Sequence, residues 1–525
     1  MTDIADPVTT APSAPRPDPA QVAALTDALV DPALERIVEV VLAVDRTDVE
    51  PVYVARAVDG SVRFTRSVDG HGWRYDVIAT EGRNPLADQA IDRFSSAVTE
   101  RANRWPDRTQ VSYPFAYEMV SQIFDAPWAP DLICEHTSTH NWEDQGGHRG
   151  EHGSPTVVQA RAPFILAGAG VRRQGVVPRA CRLIDVAPTV LALMGAAPVD
   201  GVGQNGLPRP DALLRRQDGD VLDGLFDESR TAPSHVIGVL FDGCNPNVLH
   251  ELAAAGELPN VARLIDDGVS FGHGAMASMP TLTLANHTGI LTGAHPGHHR
   301  IINNAWYDKA AGEQVITNSP ETWAWSMANL NPGVETMHQA VKRTWPDAIC
   351  VSCNEMCDNG ADVSIFATMR AGGAIDTPPR AEDLPFATER FVRPVKDYEI
   401  SSRIDHLSMS QAVDAFEQRH GALPKFMWVN FSLTDAAFHS CGPHSEIAHA
   451  SLRDTDARLG EVIRAVERAG VFDDTAWFLV ADHGMEENDP SVTGDWGPVL
   501  ADTGVPYRDE AYGFIYAGVE GGRSS

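Results

Sequence analysis

The sequence predicts an α/β protein, and three observations carry that expectation. Apolar runs of strand length occur at His235–Phe241, Phe426–Phe431 and Ala476–Val480. Helical periodicity follows at Val248–Gly256, Asn260–Asp267 and, as one long amphipathic helix, Ile447–Ala469. Each of the three strands leads into a ligand-type residue: Asp242, Asp435 or the pair Asp482-His483. Strand, ligand, helix is thus the recurring unit, and sites in open α/β sheets collect beyond the carboxyl ends of strands.

The residues before this region read less regularly. Residues 1–20, rich in Pro, Ala, Thr and Asp, are expected to be a disordered tail. A helical pattern starts at Val22, and the apolar run Ile37–Val44 suits a buried helix or strand. Val52–Ala57 and Val62–Ser67 read as a strand pair around Asp59-Gly60. Residues 115–125 read as a helix, Asp131–Cys134 as a short strand and His136–His152 as a His-rich loop. A strand at Pro163–Ala167 and a helix at Asp185–Met194 follow. Periodicity then fades into Gly, Pro, Asp and Arg, and 206–233 is expected to be a linker between lobes at 21–205 and 234–525.

Composition bounds the function. The 525 residues are 43% hydrophobic and 22% charged, as in ordinary globular proteins, with a net charge of −31. Such a field repels polyanions, which argues against a nucleic acid polymer as partner. Small phosphates remain compatible with it, because a metal site supplies local positive charge. No signal-peptide pattern and no apolar stretch of membrane-spanning length is present, so a cytoplasmic protein without a membrane partner is expected. Seven cysteines do not suggest a disulfide framework. The tight group Cys350, Cys353 and Cys357 lacks a fourth zinc-finger ligand and reads as structural.

Carboxylates and imidazoles at several strand ends are what a divalent, zinc-like ion needs. Asp435 and His439 stand four residues apart, close enough to clasp one ion, and Asp482 and His483 are adjacent. Either pair alone is more often a hydrogen-bonded structural pair.

Longer motifs make the pattern specific. Asp242-Gly243-Cys244, Leu258-Pro259-Asn260, the run Pro280–His287, Thr292-Gly293 and Asn304–Asp308 resemble the nucleophile region of nucleotide pyrophosphatases/phosphodiesterases and phosphonoacetate hydrolases. These enzymes belong to the alkaline phosphatase superfamily. Asp435–Pro443 resembles that family's Asp-x-x-x-His-x-x-Gly-Pro element. Ala481–Met485 resembles its Ser-Asp-His-Gly-Met element, with Ala in place of Ser. The resemblance implies a central sheet flanked by helices on both faces and two divalent ions, zinc with manganese as the alternative. It assigns Asp242, Asp482, His483 and the Thr283 oxygen to one ion, and Asp435 and His439 to the other. Thr283, not Thr281, aligns with the nucleophile, and Asn304 with the residue that steadies a phosphoryl oxygen.

The family's remaining ligand is a His in a Gly-x-His-Gly element after the Asp-His pair. Here no His follows His483, and the element stands upstream as Gly150-Glu151-His152-Gly153. Ala162–Leu166, Ile184–Thr189 and Asp200-Gly201 then resemble the family's C-terminal end. A circularly permuted chain is expected, with His152 as third ligand beside Asp435 and His439. Two tandem remnants, or a His152 acting across a subunit interface, are the alternatives.

Several nearby residues have plainer readings. His136, His140 and His148 read as a polar loop beside the site, His295, His298 and His299 as a structural turn, and Trp306 and Tyr307 as packing. The resemblance implies hydrolysis of a small phosphodiester or nucleotide phosphoanhydride through a phospho-threonine. A phosphomonoesterase, a phosphonate hydrolase or a catalytically silent metal-binding scaffold are the alternatives. No Lys lies between Lys342 and Lys396, where phosphonoacetate hydrolases carry carboxylate-gripping lysines.

Overall fold

A computed structural model describes residues 17–47, 50–141, 148–227, 229, 231–375 and 397–523. The tail expected over 1–20 falls mostly outside these residues, and Pro19 and Ala20 already belong to a helix, α1 (Pro19–Leu29). Asp18 caps it by accepting from the Ala20 amide, and Pro19 sits where a helix needs no amide donor. The first part of the chain then supplies β1 (Val38–Asp45), β2 (Val52–Ala57), β3 (Gly60–Asp69), β4 (Gly72–Gly82), α2 (Ala116–Ile123) and β5 (Leu132–His136). It continues with β6 (Phe164–Gly168), β7 (Gly175–Val177) and α3 (Val186–Met194). The Ile37–Val44 run is therefore a strand. Strand β4, which sequence reading did not expect, is largely exposed and lacks apolar alternation.

The second part supplies β8 (His235–Phe241), α4 (Pro246–Ala254), α5 (Pro259–Asp266), β9 (Gly268–Phe271) and α6 (Thr283–Thr292). Next come β10 (Ile349–Cys353), β11 (Val363–Ser364), α7 (Tyr398–Phe416), β12 (Pro424–Phe431), α8 (Leu433–Cys441), α9 (Glu446–Arg468) and β13 (Thr475–Val480). Strands β14 (Tyr507–Glu510), β15 (Phe514–Ala517) and β16 (Gly522–Arg523) follow. The long α9 is capped by Ser445, which accepts from Ala448 N, and buries Leu452, Leu459, Val462, Ile463 and Val466.

Two eight-stranded sheets organise these elements. The central sheet runs β11-β10-β12-β8-β13-β6-β9-β7. Strands β10, β12, β8 and β13 are mutually parallel, so their carboxyl ends share one rim. Strand β8, in the middle, is buried from Val236 to Phe241, which is why it reads as an unbroken apolar run. Strand β6, from the first part, lies between β13 and β9, antiparallel to both, with Phe164 opposite Val480. Its amino end therefore reaches the same rim. The second sheet runs β16-β14-β15-β5-β1-β2-β3-β4, so it too draws strands from both parts of the chain.

The described residues of the connecting stretch 206–233 are packed, not loose. Ala212, Leu214 and Leu225 are fully buried. Asp218, also buried, accepts from the amide of His295 (2.7 Å) and contacts the ring of His298 (2.5 Å). Sequence reading missed this because short contacts made by Gly- and Asp-rich chain carry no periodicity. No described helix is long and apolar enough to cross a membrane.

Candidate active site

Three parallel strands bring three acidic turns together. Past β8, Asp242 still donates its amide to Phe431 O, and Gly243 then turns the chain in a left-handed conformation (φ 62°). A Cβ on Gly243 would lie 2.7 Å from Asp435 Oδ1, so only glycine lets the turn after β8 approach the first turn of α8 this closely. Its amide donates to Asp482 Oδ1 at 3.0 Å, tying in the end of β13. Asp435 and His439 occupy successive turns of α8, on one face.

Thr283 is the first residue of α6. The turn before it is held by Asn286, whose side chain accepts from Ser278 N and donates to the carbonyls of Ser278, Pro280 and Leu282. Thr283 Oγ1 stands 3.5 Å from His483 Nε2.

Two ligand triples result. Asp242, Asp482 and His483 form one, and His152, Asp435 and His439 the other, each with its ligand atoms within 4.8 Å of one another. His152 Nε2 is 3.9 Å and His439 Nε2 3.4 Å from Asp435 Oδ1, and His483 Nε2 is 3.1 Å from Asp482 Oδ2. The rings of His152 and His483 stack at 3.7 Å, so the two triples adjoin. Of the residues singled out in the sequence, these six and Thr283 converge. Asn304 makes no hydrogen bond to either triple among the described residues, although its side-chain oxygen is buried and unpartnered. Its loop is anchored by Asn303, which donates to Ala511 O at 2.7 Å.

The donor set fits divalent ions. All three imidazoles direct Nδ1 at a backbone carbonyl: His152 at Thr281 O (3.0 Å), His439 at Gly150 O (2.9 Å) and His483 at Gly484 O (2.9 Å). Such a bond keeps a proton on Nδ1 and turns Nε2 toward the carboxylates. Asp242 Oδ1, Asp482 Oδ2 and Asp435 Oδ1 are buried without a hydrogen-bond partner among the described residues. Unpartnered buried carboxylate oxygens are costly unless something cationic joins them. Burial and the neighbouring Asp482 push the Asp242 carboxyl up, a strain that a dication would relieve. Burial, helped by His483 and His439, holds His152 well below the usual imidazole range, so it is a neutral donor. Against burial, Asp482 raises His483, so an ion there would displace a proton.

A further layer was not assigned from the sequence. His287, one turn beyond Thr283 on α6, sets Nδ1 2.7 Å from Glu355 Oε2 and Nε2 3.6 Å from both Asp242 and Asp482. Glu355 also accepts from Trp428 Nε1 (2.9 Å) and the Cys357 amide (2.9 Å). The four-residue spacing from Thr283 to His287 was the available signal. The other expectations resolve simply. His136 contacts His152 O (3.2 Å) and His140 contacts Gly494 O (2.9 Å), while part of their loop, 142–147, lies outside the described residues. Trp306 is buried and stacks on Trp128, and Cys350, Cys353 and Cys357 are buried thiols that join no ligand group among the described residues.

Comparison with known proteins identifies the family of the chain. The chain is similar to an uncharacterized pyrophosphatase/phosphodiesterase of Schizosaccharomyces pombe, at 24% identity over 277 residues, covering 50% of this chain and 48% of that one. It is similar to the alkaline phosphatase PafA of Elizabethkingia meningoseptica, at 30% identity over 106 residues, 19% of each chain. The chain thus spans half or less of the length of the curated relatives it matches. Among solved structures, phosphonoacetate hydrolase of Sinorhizobium meliloti 1021 aligns with a TM-score of 0.32 at 20% identity, covering 49% of this chain and 58% of that one. Residues 236–518, more than half of the chain, match the model of the type I phosphodiesterase / nucleotide pyrophosphatase family, and the chain belongs to that family.

Proposed function

We propose that the protein is a metal-dependent hydrolase of phosphodiesters or nucleotide phosphoanhydrides, working through a phospho-threonine on Thr283. The observation that carries this reading is the meeting of two three-ligand groups beside the Thr283 hydroxyl at one sheet rim. Asp242, Asp482 and His483 would hold one ion and His152, Asp435 and His439 the other, zinc or manganese. Bound there, the ions supply positive charge that lowers the hydroxyl pKa and stabilises the leaving oxygen.

The protein's own groups do the rest. The Thr283 hydroxyl loses its proton to solvent as Oγ1 forms a bond to phosphorus. The ester oxygen departs on the opposite side and takes a proton from water. Water then cleaves the Thr283–phosphate bond, which releases the phosphate and restores the hydroxyl. Asn304 would donate its amide to a phosphoryl oxygen, and Asn286 keeps Oγ1 fixed at the start of α6. The segment Ser352–Asp358, which begins with the last two residues of β10, carries no lysine, which disfavours phosphonoacetate as substrate. A panel of bis-p-nitrophenyl phosphate, p-nitrophenyl phosphate, a dinucleoside polyphosphate and phosphonoacetate, with and without added zinc, tests the reading. We expect turnover of the diester or polyphosphate, lost on chelation. Turnover that survives exhaustive chelation would refute it.

The same reading includes a circularly permuted chain. Support comes from β6 lying in the central sheet beside β13, and from His152 reaching Asp435 within one chain. Gln21 and Gly518 are also neighbours: a Cβ on Gly518 would lie 3.1 Å from Gln21 Oε1. A gene rearranged to join residue 523 to residue 17 by a short Gly-Ser linker, with new termini near Ser229, should give a folded protein of similar activity. An aggregated product, with the original chain order folding normally, would argue against permutation.

A further inference from the structure

Glu151 and His148 form, with His439, a third group whose ligand atoms lie within 4.8 Å of one another. His148 Nδ1 is 2.9 Å from Glu151 Oε1, and Glu151 Oε2 is 3.8 Å from His439 Nδ1. The rings of His148 and His439 face each other at 4.4 Å. Glu151 is buried, at 2% side-chain exposure, whereas His148 is 20% exposed. The group therefore lies between the His152–Asp435–His439 triple and solvent, and shares one imidazole with it. Two imidazoles and a carboxylate are a zinc-type donor set.

We infer that His148, Glu151 and His439 form an outer zinc site whose occupation inhibits the enzyme. The inference rests on His439 serving the inner triple through Nε2, as proposed above. A neutral imidazole offers one lone pair, on the nitrogen that carries no proton. In the structure the Nδ1–H of His439 donates to Gly150 O, so its lone pair points inward at Asp435. An ion in the outer group can bind Nδ1 only if the proton moves to Nε2, which breaks the Gly150 bond and removes His439 from the inner ion. No proton is gained or lost overall. The inner site wins at low zinc because the Gly150 carbonyl already selects its tautomer. The outer site fills only when zinc is in excess, and it leaves the inner ion with His152 and Asp435 alone.

Two measurements on the full-length protein test this. Diester hydrolysis is followed from limiting to excess zinc for the wild type, His148→Ala and Glu151→Gln. Crystals soaked in excess zinc are examined for anomalous scattering at the zinc edge. We expect wild-type activity to rise and then fall by about 100-fold, since one of the three ligands leaves the inner ion. An anomalous peak should lie among His148, Glu151 and His439. Both variants should keep the low-zinc activity and lose the fall and the peak. His148, being partly exposed, serves if Glu151→Gln does not fold. An excess-zinc map without that peak, or an equal fall in wild type and variants, overturns the inference. Absence of turnover on every ester at low zinc would instead sink the proposed function, and the anomalous map still decides the outer site.

Discussion

Two sets of three histidines lie near the start and the end of α6, and their ring nitrogens are used differently. In the candidate site, His152, His439 and His483 each spend Nδ1 on a backbone carbonyl and turn Nε2 toward a carboxylate. In the turn after α6 both nitrogens are occupied. His295 lies between Ser278 Oγ (2.8 Å) and Glu118 (2.8 Å), and His298 between Asp218 (2.5 Å) and Asp125 (3.0 Å). His299 contacts Ala285 O and accepts from the Ile301 amide. A ring with both nitrogens engaged is a structural cross-link. A ring whose second nitrogen faces buried carboxylates is placed to bind a cation, His152 as a neutral donor and His483 after giving up a proton.

The largest effect should come from the site. Thr283→Val should lower kcat/KM on the best diester by at least about 10³-fold, since the nucleophile itself is removed. His152→Ala should lower it by at least about 10²-fold, with one zinc lost from the folded protein by elemental analysis. Circular dichroism should show both variants folded. Should His152→Ala retain full activity and both ions, the contrast between the two histidine sets would collapse.

His298→Gln should behave in the opposite way. It leaves Asp218 and Asp125 facing no imidazolium, although Arg216 and Arg66 still reach them. The expected cost is about 3 kcal/mol of stability, the low end for breaking a buried ion pair. Turnover per folded molecule should change less than about threefold, because nothing at the metal-ligand groups moves. The pH dependence sharpens the contrast. Against burial and the charge of Arg216, Asp218 and Asp125 hold His298 above its ordinary value of 6.5. A raised folded-state pKa gives stability that is complete below about pH 6.5 and declines as pH rises through the folded value. The difference in Tm between wild type and His298→Gln should therefore be widest in mild acid and shrink on the alkaline side. A gap that widens with pH would show that His298 is neutral in the folded protein.

These contrasts also explain what the sequence could convey. The strands β8, β12 and β13 were legible because burial on both faces leaves an unbroken apolar run. The candidate ligands Asp242, Asp435, His439, Asp482 and His483 were legible because each follows such a run within a longer motif, whereas His152 was legible only through its Gly-x-His-Gly element. The carbonyl caps on the three imidazoles were not, since a backbone acceptor leaves no residue-type signature. Glu355 was equally hidden: it meets Trp428 because β10 and β12 are neighbours in the sheet, and it meets His287, 68 residues earlier, only in the folded chain. The packing of 206–233 rests on single contacts, such as Asp218 to His298, between segments far apart in sequence. Largely exposed β4 packs little more than Tyr75 against the core, so its strand character is set by pairing with β3 and not by its own pattern.

The smallest effect distinguishes the two threonines of one motif. Thr281 Oγ1 accepts from the Gly153 amide at 3.0 Å and donates to Ser154 O at 2.9 Å. Its own carbonyl receives His152 Nδ1, so Thr281 fastens the His152 loop to the nucleophile turn without facing the metal-ligand groups. Thr281→Val keeps the shape and the carbonyl but removes both hydroxyl bonds, leaving a buried amide and a buried carbonyl without them. The expected cost is about 1–2 kcal/mol of stability. Zinc affinity should weaken by less than about 10-fold, because the bond that sets the His152 tautomer survives while the loop beneath it loosens. The kcat at saturating zinc should stay within about threefold of wild type, since Oγ1 of Thr283 is untouched. Added zinc should thus rescue Thr281→Val and do nothing for Thr283→Val. If zinc rescued neither, Thr281 would have a chemical role, and the assignment of the nucleophile to Thr283 alone would fail.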